Sequence, residues 1–273
     1  MLSNITGNVV TPAYRAVLIT GASSGIGAAL ALACAAEGVA LHLGGRNAER
    51  LGAVAGACRA RRATVSARTV DVRDAAATAA WIAAAGRLDL VVANAGIGGG
   101  IDDGVPEPAE QVRAIFAANL DGALNTALPA LAAMLRQAPA ADGVRGRIAV
   151  VASMAAFVPA PGAPSYGASK AALDAWTVAT ATHARAHGVR LTSVCPGYVR
   201  TAMTAANRFP MPGLMDADRA AAIILRAVAA GRMRIAFPWW IAAASRVMGA
   251  LPPRLTGAVL AMQPGKAALP RDG

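Results

Sequence analysis

The chain is short of cysteine, aromatic residues, lysine and carboxylates, and each shortage removes a class of protein. Its three cysteines, Cys34, Cys58 and Cys195, stand far apart, with no CxxC and no histidine at ligand spacing. That excludes a disulfide scaffold and suggests no metal site, and the thiols read as reduced core residues in a cytoplasmic protein. His42, His183 and His187 read as packing or surface residues. Aromatics are 4% of the chain, and the arginines are scattered, densest at Arg59, Arg61 and Arg62. The net charge of +11 therefore reads as a solvated basic surface and not as a nucleic-acid interface. No uninterrupted apolar run reaches the roughly 18 residues of a spanning helix, and residues 1–14 lack the order of a signal peptide. Lysine is the scarcest charge: of 26 cations only Lys170 and Lys266 are not arginine.

What remains is an apolar chain of 273 residues, 56% hydrophobic and 15% charged. At roughly 100–200 residues per domain the length allows one large domain or two small ones, with a sizeable core. Such hydrophobicity excludes intrinsic disorder. Apolar runs predict strands over 15–20, 39–44, 64–70, 88–93, 147–152, 189–194 and 233–237. Helical stretches lie between them: from the first glycine turn to Glu37, then 47–60, 75–85, 108–137, 164–187 and 216–230. Gly38 is placed to end the first helix and Asp74 to cap the third. Unbroken apolar strands alternating with helices indicate an α/β fold, a doubly wound parallel sheet covered on both faces. No repeat or break in composition divides 15–237. Residues 1–237 thus read as one domain, and 238–273 as its C-terminal apolar appendage.

Thr20-Gly21-Ala22-Ser23-Ser24-Gly25-Ile26-Gly27 joins the first strand to the first helix. Gly21 permits a tight turn, Gly25 lets backbone approach a pyrophosphate, and Gly27 lets helix pack on strand. Ser23, Ser24 and Ile26 complete the loop, and the helix start adds unpaired N–H groups and a positive dipole end. The second strand ends in Gly44-Gly45-Arg46-Asn47, with no carboxylate to accept from a ribose 2′-hydroxyl. Arg46 instead suits a 2′-phosphate, which favours NADP(H) over NAD(H); a surface arginine at a helix start is the competing explanation. Asp71, ending the third strand, suits an adenine amino group, with helix capping as its competitor. Asn94-Ala95-Gly96 follows the fourth strand, at the carboxyl edge where ligands of open parallel sheets bind.

Tyr166-Gly167-Ala168-Ser169-Lys170 opens a later helix, and Tyr166 and Lys170, four apart, share one face of it. A lysine here, in a chain that otherwise chooses arginine, indicates a need for a compact ammonium charge. A chance pair on a solvated face competes with that explanation. Ser153 ends the fifth strand, thirteen residues before Tyr166. Asn119 sits within the long helix 108–137, where its propensity is poor.

With these residues in place, the sequence resembles the short-chain dehydrogenase/reductases, in their single-domain branch. The resemblance covers about 15–237 and rests on six motifs in order: Thr20–Gly27, Asn94–Gly96, Asn119, Ser153, the YxxxK of Tyr166 and Lys170, and Pro196-Gly197-Tyr198-Val199-Arg200-Thr201. Ala93, where many members have a second asparagine, is a departure that leaves the catalytic set untouched. The resemblance implies a Rossmann fold, with Tyr166 as general acid in reduction and base in oxidation. It implies that Ser153 polarises the carbonyl, that Lys170 binds the nicotinamide ribose and lowers the tyrosine pKa, and that Asn119 holds a water in a proton relay. Thr201, with Pro196, Gly197 and Val199, is implied at the nicotinamide carboxamide. Asp71 and Val72 are implied at the adenine, and Asn94, Ala95 and Gly96 at the ribose. It further implies a homodimer or homotetramer through helices 108–137 and 164–187.

An ordinary phenol titrates near about 10, so acid–base work near neutrality requires a drop of about 2–3 units, which a neighbouring ammonium and a cationic nicotinamide can supply. Substrate contacts are expected from the turn after Ala95, from 154–163 and from 202–215. Ile97, Met154, Phe157, Val158, Met203, Phe209, Met211, Leu214 and Met215 offer an apolar lining for a small-molecule carbonyl or alcohol. Residues 237–262 are interrupted by Arg246, Pro252, Pro253 and Arg254. Three readings of this segment stay open: a cap on the pocket, a subunit interface, or a peripheral membrane contact through Trp239 and Trp240. A non-catalytic NADP-binding regulatory protein and a membrane-peripheral reductase of a lipid-derived ketone are the alternatives to a carbonyl oxidoreductase.

Overall fold

Val17, Leu18 and Ile19 have no exposed surface, because the first apolar run becomes a strand with neighbours on both sides. The computed structural model describes residues 14–101, 106–205, 207 and 209–260. Its strands are β1 (Ala16–Thr20), β2 (Ala40–Gly45), β3 (Thr64–Thr69), β4 (Leu90–Ala93), β5 (Gly146–Val151), β6 (Val189–Pro196) and β7 (Arg234–Phe237). They form one seven-stranded sheet in the order β3-β2-β1-β4-β5-β6-β7. All its pairings are parallel; Val17 faces Leu41 on one side and Leu90 on the other. The expected doubly wound sheet is what the chain forms. The order reverses between β1 and β4, so the loops leaving these strands diverge and open a crevice at the carboxyl edge.

Alternate β1 residues feed different layers. Val17 and Ile19 pack with Leu30, Leu41, Leu51 and Ile224, under α1 (Gly25–Cys34) and α2 (Ala48–Ala60). Leu18 packs with Trp81, Ile82, Met134, Ile148 and Leu173, under α3 (Ala75–Ala84) and two longer helices. Each fully buried Leu or Ile adds about 1.5–3 kcal/mol relative to exposure. Asp74 caps α3 as expected, its side chain accepting from Ala77 N–H at 2.9 Å.

Three local expectations are corrected. First, α1 stops at Cys34, not near Gly38. Its last-turn carbonyl on Leu32 is satisfied by Ala35 N–H and by the Arg61 guanidinium at 2.7 Å, so Gly38 (φ +80°) serves the turn into β2 instead. Second, β3 is not an apolar run but a largely exposed edge strand carrying Ser66 and Arg68, where one face and one flank meet water. Third, 108–137 is not one α-helix. It divides into α4 (Ala109–Phe116), a π turn (Ala117–Asp121) and α5 (Gly122–Arg136). The inserted residue rotates the helix faces on either side of Asn119, and Gly122 lets the wall approach Val72, whose Cγ2 lies 2.5 Å from where a Cβ would stand. The described part of the appendage is helical: α9 (Trp239–Ala250) and α10 (Pro253–Leu260) follow β7. Ala261 and Met262 of the segment 237–262, and the outer ends of both spans 1–237 and 238–273, lie outside the described residues. The remaining elements are a 3-10 turn (Met154–Phe157), α6 (Pro164–Ala186), α7 (Ala202–Ala205) and α8 (Ala217–Ala229).

Candidate active site

At the carboxyl edge the diverging loops enclose a cavity of about 590 Å³. Its floor is the glycine turn after β1. Gly21 has φ +67°, and a Cβ there would stand 2.8 Å from Asn94 Nδ2 and 2.9 Å from Ala95 Cα. A Cβ on Gly27 would stand 2.3 Å from the Gly21 carbonyl oxygen, so this residue locks α1 against the turn and is itself behind the cavity wall. Ser24, the N-terminal cap residue of α1, makes no capping bond through its side chain. The first N–H groups of α1 are thus left to an anion, with the positive helix end behind them.

Asn94 holds this floor to β4. Its amide donates to the carbonyls of Thr20 at 3.0 Å and Gly21 at 3.3 Å, while the Thr20 hydroxyl receives the N–H groups of Asn94 and Ala95. Ala95 and Gly96 continue the wall.

One end of the cavity is cationic. Arg46 lines it, joined by Arg50 and Arg73, two residues that sequence reasoning did not select. Arg50 lies four positions after Arg46, a spacing that could have revealed it; Arg73 carries no such signal. Asp71 does not cap α3, which Asp74 does. Its carboxylate instead accepts from Arg73 Nε and Nη2 at 2.9 and 2.5 Å and from Arg73 N–H at 3.0 Å. These contacts, with the field of Arg46, hold the Asp71 carboxyl below the usual carboxylate range.

The other end carries hydroxyls and an amine. Ser153 ends the segment after β5, its Oγ accepting from Ala155 N–H at 3.1 Å. The Ser153 and Tyr166 hydroxyls are hydrogen-bonded to each other, and both line the cavity. Lys170, one turn along α6, lines it too, and its Nζ donates to the Val151 carbonyl at 2.8 Å. Burial pushes the Tyr166 phenol above its ordinary value, and the Ser153 hydrogen bond pulls it back. In the protein alone, therefore, the phenol is raised and not lowered, because desolvation outweighs the favourable groups around it.

The start of α6 is fixed from a distance. The Glu107 carboxylate accepts from Ser165 N–H at 2.9 Å and from the Ser165 hydroxyl at 2.8 Å, placing negative charge at the helix N-terminus beside Tyr166. Glu107 lies between two prolines, 58 residues from its partner, and nothing local marks it.

The cavity lining thus brings together Gly21, Ser23, Ser24, Gly25, Ile26, Arg46, Asp71, Val72, Asn94, Ala95, Gly96, Ser153, Tyr166, Lys170, Pro196, Gly197, Val199 and Thr201. It does not include Gly27 or Asn119. Asn119 is fully buried, and its amide is occupied by the Ile97 backbone, accepting at 2.7 Å and donating at 3.0 Å, with Ser169 Oγ at 3.3 Å. In this position it fixes the turn after Gly96.

Sequence and structure comparisons agree with this geometry. Residues 15–211 match the family model for short chain dehydrogenase. An uncharacterized oxidoreductase of Myxococcus xanthus is 39% identical over 243 residues, 88% of this chain and 93% of the relative. The 2-(R)-hydroxypropyl-CoM dehydrogenase of Xanthobacter autotrophicus is 36% identical over 209 residues, 74% of this chain and 81% of that one. A solved short chain dehydrogenase/reductase from Burkholderia phymatum, in complex with NAD, superposes with a TM-score of 0.76 at 25% identity, over 86% of this chain and 92% of that one. A strand-ending glycine turn, a hydroxyl pair beside a buried ammonium, and matched sequence over most of the length have one common explanation: this chain belongs to the short chain dehydrogenase family of oxidoreductases.

Proposed function

We propose that the chain is an NADP(H)-dependent oxidoreductase that interconverts a carbonyl and a secondary alcohol on a hydrophobic small molecule, with Tyr166 as general acid and base. One juxtaposition carries this reading: the hydrogen-bonded hydroxyls of Ser153 and Tyr166 line the same cavity as Lys170 and the glycine turn. The family binds NAD(H) or NADP(H). The residues fit such a dinucleotide, since a Cβ at Gly25 would close the cradle to 2.9 Å from Thr201 Cγ2 and the N-terminus of α1 is uncapped by side chains. Gly21, Ser23, Gly25 and Ile26 would hold its pyrophosphate, Asp71 and Val72 its adenine, and Pro196, Gly197, Val199 and Thr201 its carboxamide. Arg46, with Arg50 and Arg73 beside it, supports the phosphorylated form; the NAD complex of the Burkholderia relative supports the unphosphorylated alternative. When bound, the nicotinamide supplies or accepts the hydride.

The chain contributes position and a proton. The Ser153 hydroxyl donates to the substrate oxygen and orients it. Tyr166, raised by burial, keeps its proton at neutral pH and so holds the form that donates to a carbonyl. Lys170 brings a fixed positive charge to the cavity, anchored on Val151. Ile97 and Met203 in the lining, and the edge-to-face pair of Tyr198 and Phe209 at 5.9 Å, support an apolar substrate. Leu128 and Leu135 on α5, 49% and 41% exposed, support a homo-oligomer through that helix and α6. The thiols of Cys34, Cys58 and Cys195, all free, support a cytoplasmic setting.

Tyr166→Phe is expected to lower the turnover of NADPH with a ketone panel by about 10²–10⁴-fold, while NADPH fluorescence still reports binding. Undiminished turnover in this variant sinks the assignment.

A further inference from the structure

The two C-terminal helices carry six large apolar side chains that the fold leaves in water: Trp239 (78% exposed), Trp240, Val247, Leu251, Leu255 and Val259. Along α9, Trp240, Ala243, Ala244, Val247 and Leu251 recur at three- and four-residue spacing, and all are exposed. The opposite side of α9 is bound to the body of the protein. Ala242 is buried, Arg246 lies 4.3 Å from the centre of the Phe157 ring, and Gly249 meets the Phe157 carbonyl so closely that a Cβ would stand 1.9 Å from its oxygen. The Thr256 hydroxyl on α10 donates to the Met248 carbonyl at 3.0 Å and ties the two helices together. The exposed stripe is thus the outer face of a docked pair of helices.

The charges that α9 and α10 carry are of one sign. Between Asp218 and Asp272 the sequence contains eight cations and no carboxylate. On α10 Arg254 stands exposed, and on α9 Arg246, stacked on Phe157, stands exposed at the border of the docked side. A two-fold contact between copies of this face would bring like charges together without compensation, which disfavours a second copy as occupant. An anionic bilayer offers what the face lacks: phosphate charge at the depth of the arginines, and an interfacial layer that suits tryptophan. At 12 residues α9 is too short to cross a bilayer, and among the described residues no helix is long and apolar enough to do so.

We infer that the outer face of α9 and α10 docks flat on an anionic lipid surface, with Trp239 and Trp240 inserted at the interface. Its position gives this contact a use. A Cβ at Gly213, in the loop before α8, would stand 2.8 Å from Ile241 Cδ1 and 2.9 Å from Pro238, while the far end of α9 sits on Phe157. Pro238 also borders Gly197 of the cavity wall, 3.4 Å from its Cβ position. The helix therefore bridges the two segments that flank the substrate end, and docking sets that end beside the bilayer. Resting on the oxidoreductase reading above, the substrate class is a carbonyl or alcohol lipophilic enough to be drawn from the membrane.

Sedimentation of the full chain with vesicles tests the surface without reference to turnover. Vesicles of phosphatidylcholine mixed with phosphatidylglycerol should pellet the protein, and pure phosphatidylcholine should not. Raising salt from about 0.1 M to about 1 M, which shortens the screening length from about 10 Å to about 3 Å, should weaken the binding. Trp239→Ala/Trp240→Ala and, independently, Val247→Glu/Leu255→Glu should each abolish pelleting while NADPH binding persists as evidence of an intact fold. Absence of pelleting, equal pelleting with neutral vesicles, or pelleting untouched in both variants overturns the proposal. So does a concentration-dependent rise in mass that the variants remove, since the face would then be a self-association surface. A chain that binds vesicles but reduces no carbonyl keeps the docking surface and discards the oxidoreductase reading.

Discussion

Arg46 shows how far one side chain can decide a preference. It stands where an acidic residue would accept from a ribose hydroxyl, and it shares the cationic end of the cavity with Arg50 and Arg73. Asp71 already engages Arg73 through both carboxylate oxygens, which fixes that guanidinium in place. Arg46→Ala should therefore weaken NADPH binding by about 10–100-fold, the loss of roughly 1.5–3 kcal/mol in charged hydrogen bonds, and leave NADH nearly unchanged. Paired fluorescence titrations check this, and equal losses for both cofactors would contradict it. At this scale Ser153, Tyr166 and Lys170 were legible in the sequence, because unusual residue types occur at fixed spacing. Glu107 was not, since its partner Ser165 lies 58 residues away, and Asn119 was legible as an anomaly but not as a group closed upon Ile97.

Among the elements, α6 is tied to the sheet by an ion pair that also touches the turn after Ser153. Asp174 accepts from Arg234 Nε and Nη2 at 2.9 and 2.7 Å and from the Ser193 hydroxyl at 2.6 Å, joining α6 to β6 and β7. The Arg234 guanidinium in turn lies 5.8 Å from the centre of the Phe157 ring, on the turn that follows Ser153. Asp174→Ala should cost about 3 kcal/mol, the low end for breaking a buried pair, because Arg234 keeps 35% of its side chain in water. A urea titration measures it; an unshifted midpoint would show that water replaces the carboxylate fully. Strand and helix positions were legible from apolar periodicity. Where they failed, a tertiary partner had overridden a local signal: Arg61 closes α1 ahead of Gly38, and the π turn interrupts a stretch whose composition is helical throughout.

For the whole molecule, burial of ionisable groups sets the alkaline limit. Tyr14, Cys34 and Cys195 are each pushed up to about 12 by desolvation. Their neutral forms are favoured by folding, so this stability is fully present below the ordinary values of 10.0 and 9.0 and is lost as pH rises toward about 12. Melting temperature should fall steadily across that window, and Cys34→Ala should flatten part of the decline; a flat profile up to pH 12 would contradict it. The doubly wound sheet was legible as a whole because parallel strands must bury both faces. The C-terminal helices were not, because their anchors, Phe157 and Gly213, belong to segments far away in the chain.

The reversal of strand order between β1 and β4 has an evolutionary corollary. The crevice exists because two main-chain paths part there, before any particular side chain is chosen. The rim formed by the loop before α8 and by α9 can be exchanged wholesale while Ser153, just after β5, and Tyr166 and Lys170 on α6 stay in register. Change in what this scaffold accepts is therefore expected to accumulate in the rim, with the interior kept as a common chassis.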